Sequence, residues 1–164
     1  MRAALALCAA LALAGCGFQP MYATNNAAAT SAVSQLALGA VDGADEATRA
    51  FRDAAQGFFP ADEASAAYRV ELGLDGRRRF VSVQLDNSTT RNNYILRANW
   101  RLIDVATGNV LTRGESEATA SYSILDAQYA AYVSEQDAVR RAAGVVADDI
   151  AREAAAYFAA SGAQ

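Results

Sequence analysis

Asn93-Tyr94-Ile95-Leu96-Arg97-Ala98-Asn99-Trp100-Arg101-Leu102-Ile103-Asp104-Val105 alternates without a break. Tyr94, Leu96, Ala98, Trp100 and Leu102 fall on one side of an extended chain; Ile95, Arg97, Asn99, Arg101 and Ile103 fall on the other. A period of two, with one side apolar and the other carrying charge, is the mark of a strand with one face on a core and one in water. Ala106-Thr107-Gly108-Asn109 supplies a short glycine-containing connection. Val110 to Tyr122 continues as the partner, with Val110, Thr112, Ala118, Ala120 and Tyr122 on its small or apolar side. Antiparallel pairing across that turn sets Arg97 and Arg101 near Glu115 and Glu117 on the wet face, so these charges are expected to neutralise one another rather than to catalyse.

Working outward, Tyr68, Val70, Leu72 and Leu74 alternate with Arg69, Glu71 and Gly73 as a second half-buried strand. The alternation stops at Asp75-Gly76 and resumes with opposite parity at Val81, Val83 and Leu85, which predicts a turn or bulge between Leu74 and Val81. Ala32 to Val41 reads as a first strand, ended by Asp42-Gly43. Ala47, Ala50, Phe51, Ala54, Ala55 and Phe58 recur at helical spacing, predicting an amphipathic helix over residues 45–58 with Asp45 as its cap and Pro60 beyond its end. Near the C-terminus Ser134-Glu135-Gln136-Asp137 reads as a capping box. Ala138, Val139, Ala142, Val145, Val146, Ile150, Ala154, Tyr157 and Phe158 then form the apolar stripe of a long helix, with Arg140, Arg141, Asp148, Asp149, Arg152 and Glu153 on its wet side. The predicted architecture is α+β: a four-stranded, mainly antiparallel sheet with two helices packed on one face, in the order β-α-β-β-β-α, over a single domain of residues 32–164.

Ahead of that domain, Arg2 precedes an apolar run from Ala3 to Ala14, well short of the roughly 20 residues that span a bilayer. The run closes with Leu13-Ala14-Gly15-Cys16, which resembles the lipobox of bacterial lipoproteins. That resemblance implies a signal peptide over residues 1–15 and acyl chains, palmitate among them, on Cys16. Each buried methylene contributes about 0.8 kcal/mol, so two or more chains would anchor the protein permanently in a membrane. Residues 16–31 then form the lipidated cysteine and a flexible tether, whose small polar stretch Ala23 to Ser31 reaches about 30 Å if extended.

The composition narrows the chemistry. Net charge is −4, so no general basic field points to nucleic acid. Histidine is absent, which removes the commonest general base and transition-metal ligand, and the only cysteines are Cys8 and Cys16. No phosphate loop or metal-spaced cluster is present, so neither a cofactor nor a metal is expected. Asp86, Asp104, Glu115 and Glu117 could in principle pair as catalytic acids, but surface acids beside arginines are usually solvated or ion-paired, and no enzyme is expected. Asn87-Ser88-Thr89 fits the N-glycosylation pattern and reads as turn residues. All fourteen positive side chains are arginine. Arg77, Arg78 and Arg79, with Arg91, are the one local concentration of them, expected at opposite ends of one strand pair. They fit either solvated loops or contact with an anionic ligand through guanidinium–phosphate pairing.

Three segments are similar to the LptE family of lipopolysaccharide-assembly lipoproteins of Gram-negative outer membranes, in its alphaproteobacterial form. They are Cys16-Gly17-Phe18-Gln19-Pro20-Met21-Tyr22; the block from Asp86-Asn87-Ser88-Thr89-Thr90-Arg91 through Trp100-Arg101-Leu102-Ile103-Asp104 to Thr107-Gly108; and Ser121-Tyr122-Ser123 followed by the helix at Asp137-Ala138. The resemblance implies a four-stranded sheet with two helices and a non-enzymatic role. It implies an LptD-type outer-membrane β-barrel as partner, plugged and helped to fold by this chain, and lipopolysaccharide as ligand. Gly17 after the cysteine fits sorting to the outer membrane. Basic loop residues contact lipopolysaccharide in the family; Arg77, Arg78, Arg79 and Arg91 are nominated on charge alone. An auxiliary lipoprotein of an envelope lipid-transport ABC system and a lipid-anchored periplasmic hydrolase are the competing classes.

Overall fold

The computed structural model describes residues 27–82, 90–124 and 127–161. Seven elements follow one another: α1 (Ala27–Ser34), β1 (Leu36–Asp42), α2 (Asp45–Ala55), β2 (Tyr68–Ser82), β3 (Thr90–Asp104), β4 (Val110–Ile124) and α3 (Gln128–Ser161). The strands lie in sequence order in one sheet. β2, β3 and β4 are mutually antiparallel, but β1 runs parallel to β2. The expected α+β class and four strands are present, while the sheet is mixed and the described helices number three. The parallel pair follows from α2, which carries the chain back so that β2 starts at the same end as β1. Ala27 to Ser31, expected in the tether, belongs to α1. Its alanines favour a helix, and Ala32 and Val33 pack it against the core.

The hairpin of β3 and β4 is as its alternation predicts. Leu96 pairs with Ala118, Ala98 with Ser116 and Trp100 with Gly114, and these even-numbered positions are buried on the helix side, Gly114 only partly. At the turn the amide of Gly108 donates to the Asp104 carbonyl at 2.8 Å and that of Thr107 to Asp104 Oδ1 at 3.0 Å. Gly108 takes φ of 71°, a conformation that suits glycine.

β2 departs from expectation. Its register with β3 runs unbroken from Tyr68↔Asp104 to Phe80↔Asn92, and the irregularity falls between Phe80 and Ser82. No turn interrupts the strand at Asp75-Gly76, and of the two expected alternatives it is the bulge that occurs, at the far end of the interval from Leu74 to Val81. Gly76 continues the strand because the Tyr94 hydroxyl, from the neighbouring strand, occupies the space a side chain would need.

α3 starts at Gln128, so Ser134 lies inside the helix and caps nothing. Its buried stripe is Ala138, Val139, Ala142, Ala143, Val146, Ala147, Ile150, Ala154 and Phe158. Val145, expected in that stripe, faces solvent, because alanines at 143 and 147 take the close contacts. α2 is capped by the Ala44 backbone without a side-chain bond. Asp45 is its first residue, where a negative charge favours the helix dipole, and the helix stops at Ala55. Phe51 is wholly buried beneath it. All three described helices pack on one face of the sheet; among the described residues the odd-numbered face of β2, β3 and β4 carries no helix.

Candidate functional site

The uncovered face reads as rows of side chains across the strands. Glu71, Arg101 and Arg113 form one row; Gly73, Asn99 and Glu115 the next; then Asp75, Arg97 and Glu117; Arg77, Ile95 and Thr119; and Arg79, Asn93 and Ser121. Arg91 and Ser123 follow. In the rows near the β3–β4 turn Arg97 and Arg101 are ion-paired, while Arg113 has no ion-pair or hydrogen-bond partner among the described residues. Arg101 Nη2 meets Glu71 Oε2 at 2.7 Å. Arg97 holds Glu115 at 2.8 Å through Nε and Glu117 at 2.6 Å through Nη2. The hydrogen bond from Arg97 to Glu117, with the nearby Glu115 charge, raises its pKa further and keeps it a cation. The cross-strand neutralisation expected of this face is present for Arg97; Arg101 instead faces Arg113 and turns to β2 for its partner.

The far third of the face has a different balance. Arg77 lies 2.5 Å from Asp75 through Nη2. Arg79 and Arg91 have no ion-pair or hydrogen-bond partner among the described residues. Beside them are neutral polar groups, with the Ser121 hydroxyl donating to Asn93 Oδ1 at 2.7 Å. A hollow of about 200 Å³ lies among Asp75, Arg77, Arg79, Ile95, Arg97 and Glu117, and a wider one of about 700 Å³ lies over Gly73, Asn99 and Arg113.

The four nominated arginines are sorted by the strand period. Arg77, Arg79 and Arg91 share the uncovered face, and Arg91 sits next to Asn93, the partner of Arg79, at the same end of the strand pair rather than the opposite one. Arg78 points the other way, under the helices. Its Nε donates to Glu135 of α3, its Nη2 lies 3.6 Å from Glu46 of α2, and Gln136 also donates to Glu46. The bond to Glu135 raises the Arg78 pKa above its ordinary value. Cys16 and Asp86 lie outside the described residues. Asp104 is engaged by its own turn, and Glu115 and Glu117 are both held by Arg97. Among the described residues no group of three or more His, Cys, Asp or Glu side chains could hold a metal, and no helix is long and apolar enough to cross a membrane.

Sequence reasoning passed over Arg113 and over the amide and hydroxyl groups of Asn93 and Ser121 that flank the free arginines. Unbroken alternation through Asp75-Gly76 would have placed Arg77 and Arg79 beside Asn93 and Arg91.

A family model described as "LptE: Lipopolysaccharide-assembly" matches residues 33–154. No curated protein sequence matches the chain. Among solved structures, a Caulobacter crescentus CB15 protein described as a lipoprotein is similar, with 24% identity and a TM-score of 0.66 over 82% of this chain and 98% of its own. A minor lipoprotein from Acinetobacter baumannii has 18% identity and a TM-score of 0.55, covering 74% and 90%. Rare lipoprotein B from Shewanella oneidensis has 16% identity and a TM-score of 0.50, covering 74% and 93%. At these identities the structural likeness speaks for the fold.

Proposed function

The chain belongs to the LptE lipopolysaccharide-assembly family, and from that premise we propose that it is an outer-membrane lipoprotein, anchored through acyl chains on Cys16, that works with an LptD-type β-barrel in delivering lipopolysaccharide to the outer leaflet. Its role is to bind and position, without chemistry of its own. The observation that carries the reading is the uncovered sheet face, with Arg79 and Arg91 unpartnered among the described residues beside Arg77 at one end. Guanidinium groups pair with phosphates in bidentate fashion, and three of them on one surface suit a ligand that bears several. The remainder of that face, where Glu71, Arg97, Arg101, Glu115 and Glu117 are ion-paired and Arg113 adds one more charge, has the chemistry of a surface that meets the polar lumen of a barrel.

Two measurements test this. Affinity capture of the detergent-solubilised native protein should bring down a large outer-membrane β-barrel; recovery of an ABC transporter or substrate-binding partner instead would move the protein to the lipid-transport class. The Arg77→Ala, Arg79→Ala, Arg91→Ala variant should bind purified lipopolysaccharide about tenfold or more weakly with an unchanged melting temperature. Unchanged binding would return the three arginines to the role of a solvated surface.

A further inference from the structure

Arg79 and Phe80 are neighbours in the chain and point to opposite faces of β2. Phe80 is on the helix side, yet it is 74% exposed. Its row continues with Asn92 and Tyr122, both buried under α3. The cover gives out at β2 because α2 does not reach that far: its first turn extends only to Arg78, through Glu46. On α3, Tyr132 lies three residues before Glu135, the partner of Arg78, so the first turns of that helix run on beyond the last covered row toward Phe80. These turns carry Tyr129, Tyr132 and Val133, all exposed, Tyr129 at 80%. Four large apolar side chains therefore stand exposed at the end of the molecule that holds Arg79 and Arg91.

Between the two faces lies the outer edge of β2. β1 accompanies it only as far as the pair Asp42↔Gly73, and the chain turns away at Gly43, which packs on Leu74. From Asp75 on, no described strand lies beside that edge. A ligand can therefore pass from the arginine side to the aromatic side around β2 without displacing a strand.

We propose that Phe80, Tyr129, Tyr132 and Val133 form a shelf for the hydrocarbon chains of an anionic amphiphile whose phosphates sit on Arg79 and Arg91 across the β2 edge. The occupant is a multiply acylated, phosphorylated glycolipid; this rests on the lipopolysaccharide reading above and divides its ligand into two halves on two faces. Cation on one side and aromatic surface on the other match the two ends of such a molecule. Tyrosine suits the boundary, with an apolar ring and a polar tip.

The test uses the full-length protein in dilute detergent with two probes, purified lipopolysaccharide and its fully deacylated, still phosphorylated glycan. The Phe80→Ser, Tyr132→Ser variant should lose about tenfold in affinity for lipopolysaccharide while keeping the glycan within about twofold. Equal affinity for lipopolysaccharide, or an equal loss for both probes, overturns the shelf. Phe80→Trp gives a readout that does not depend on the serine variant folding: the emission it adds to that of the buried Trp100, taken as the difference from the native chain, should shift to the blue on adding lipopolysaccharide and stay in place with the glycan. No shift overturns the shelf, and so does a blue emission before any ligand is added, which would mean that the chain's own residues cover it. Arg79→Ala, Arg91→Ala reads the other half. If that variant keeps the glycan while Phe80→Trp still shifts, the arginine assignment fails and the shelf stands; if neither probe binds the native protein, the lipopolysaccharide reading fails with it.

Discussion

The guanidinium of Arg78 is held by the carboxylate of Glu135, 57 residues away on α3. With Glu46 on the other side, a single side chain ties the sheet to two helices. Removing it leaves two partly covered carboxylates facing one another. The guanidinium is itself half exposed, so solvent screening keeps the cost of Arg78→Ala at about 1 kcal/mol. Arg79→Ala, with no described partner to lose, should cost less than about 0.5 kcal/mol. Urea denaturation compares the two, and equal costs would show that the Arg78 network does not brace the fold.

Gly76 and Tyr94 should be coupled. A Cβ at position 76 would run into the Tyr94 hydroxyl, which sits in a buried ring with little room to move. Gly76→Ala is expected to destabilise by about 1–3 kcal/mol, as overpacking does. In a Tyr94→Phe background, where the offending oxygen is gone, the loss should shrink. A double-mutant cycle measures the coupling, and additivity would place the strain elsewhere.

Glu153 should give the protein a distinctive pH response. Its carboxylate Oε2 lies over Gly114 beside the Trp100 indole, with Asp149 one turn earlier on the same helix and Arg152 paired with Asp148 and Asp149. Burial first, and the Asp149 charge second, push the Glu153 pKa up from its ordinary value. A carboxyl raised in the folded state favours folding while protonated, so its contribution is lost as pH rises through the glutamate range. Glu153→Gln should therefore raise the melting temperature at pH 7 and have little effect near pH 4. A substitution that lowers stability equally at both pH values would contradict the assignment.

If Cys16 is the acylated end of a tether, as proposed, Cys16→Ala should abolish acylation and membrane retention while leaving the melting temperature unchanged. Mass spectrometry of the purified chain and a thermal melt read the two effects separately. Loss of folding would mean that the anchor segment is part of the domain.

Much of this architecture could be read from residue spacing. Tyr94 to Leu102 announces a strand because burial on one face alone imposes a period of two. The stripe from Ala138 to Phe158 announces α3 for the same reason at a different period. β2 was obscured because Gly76 and Arg78 occupy core-side positions: one is filled by a ring from the neighbouring strand, the other neutralised by a carboxylate from a distant helix. No local pattern carries either fact. That same pair hid the grouping of Arg77, Arg79 and Arg91, which alternation would otherwise have revealed. The first strand, expected from Ala32 to Val41, was legible only from Leu36 on, since Ala32 to Ser34 belong to α1, and its direction was illegible; Leu36 and Ala37 are both buried, as in a strand covered on two sides, so alternation gives no guide.

The bare stretch of β2 has a consequence for crowding. Unpaired strand edges invite copies of a protein to join edge to edge. Here the exposed rim reads Asp75, Gly76, Arg77, Arg78, Arg79, and a second copy docking along it would press arginines against arginines. Like charges at strand spacing repel. Copies brought side by side would therefore resist joining along this edge, where no described strand lies, and leave it to whatever is anionic enough to be welcome there.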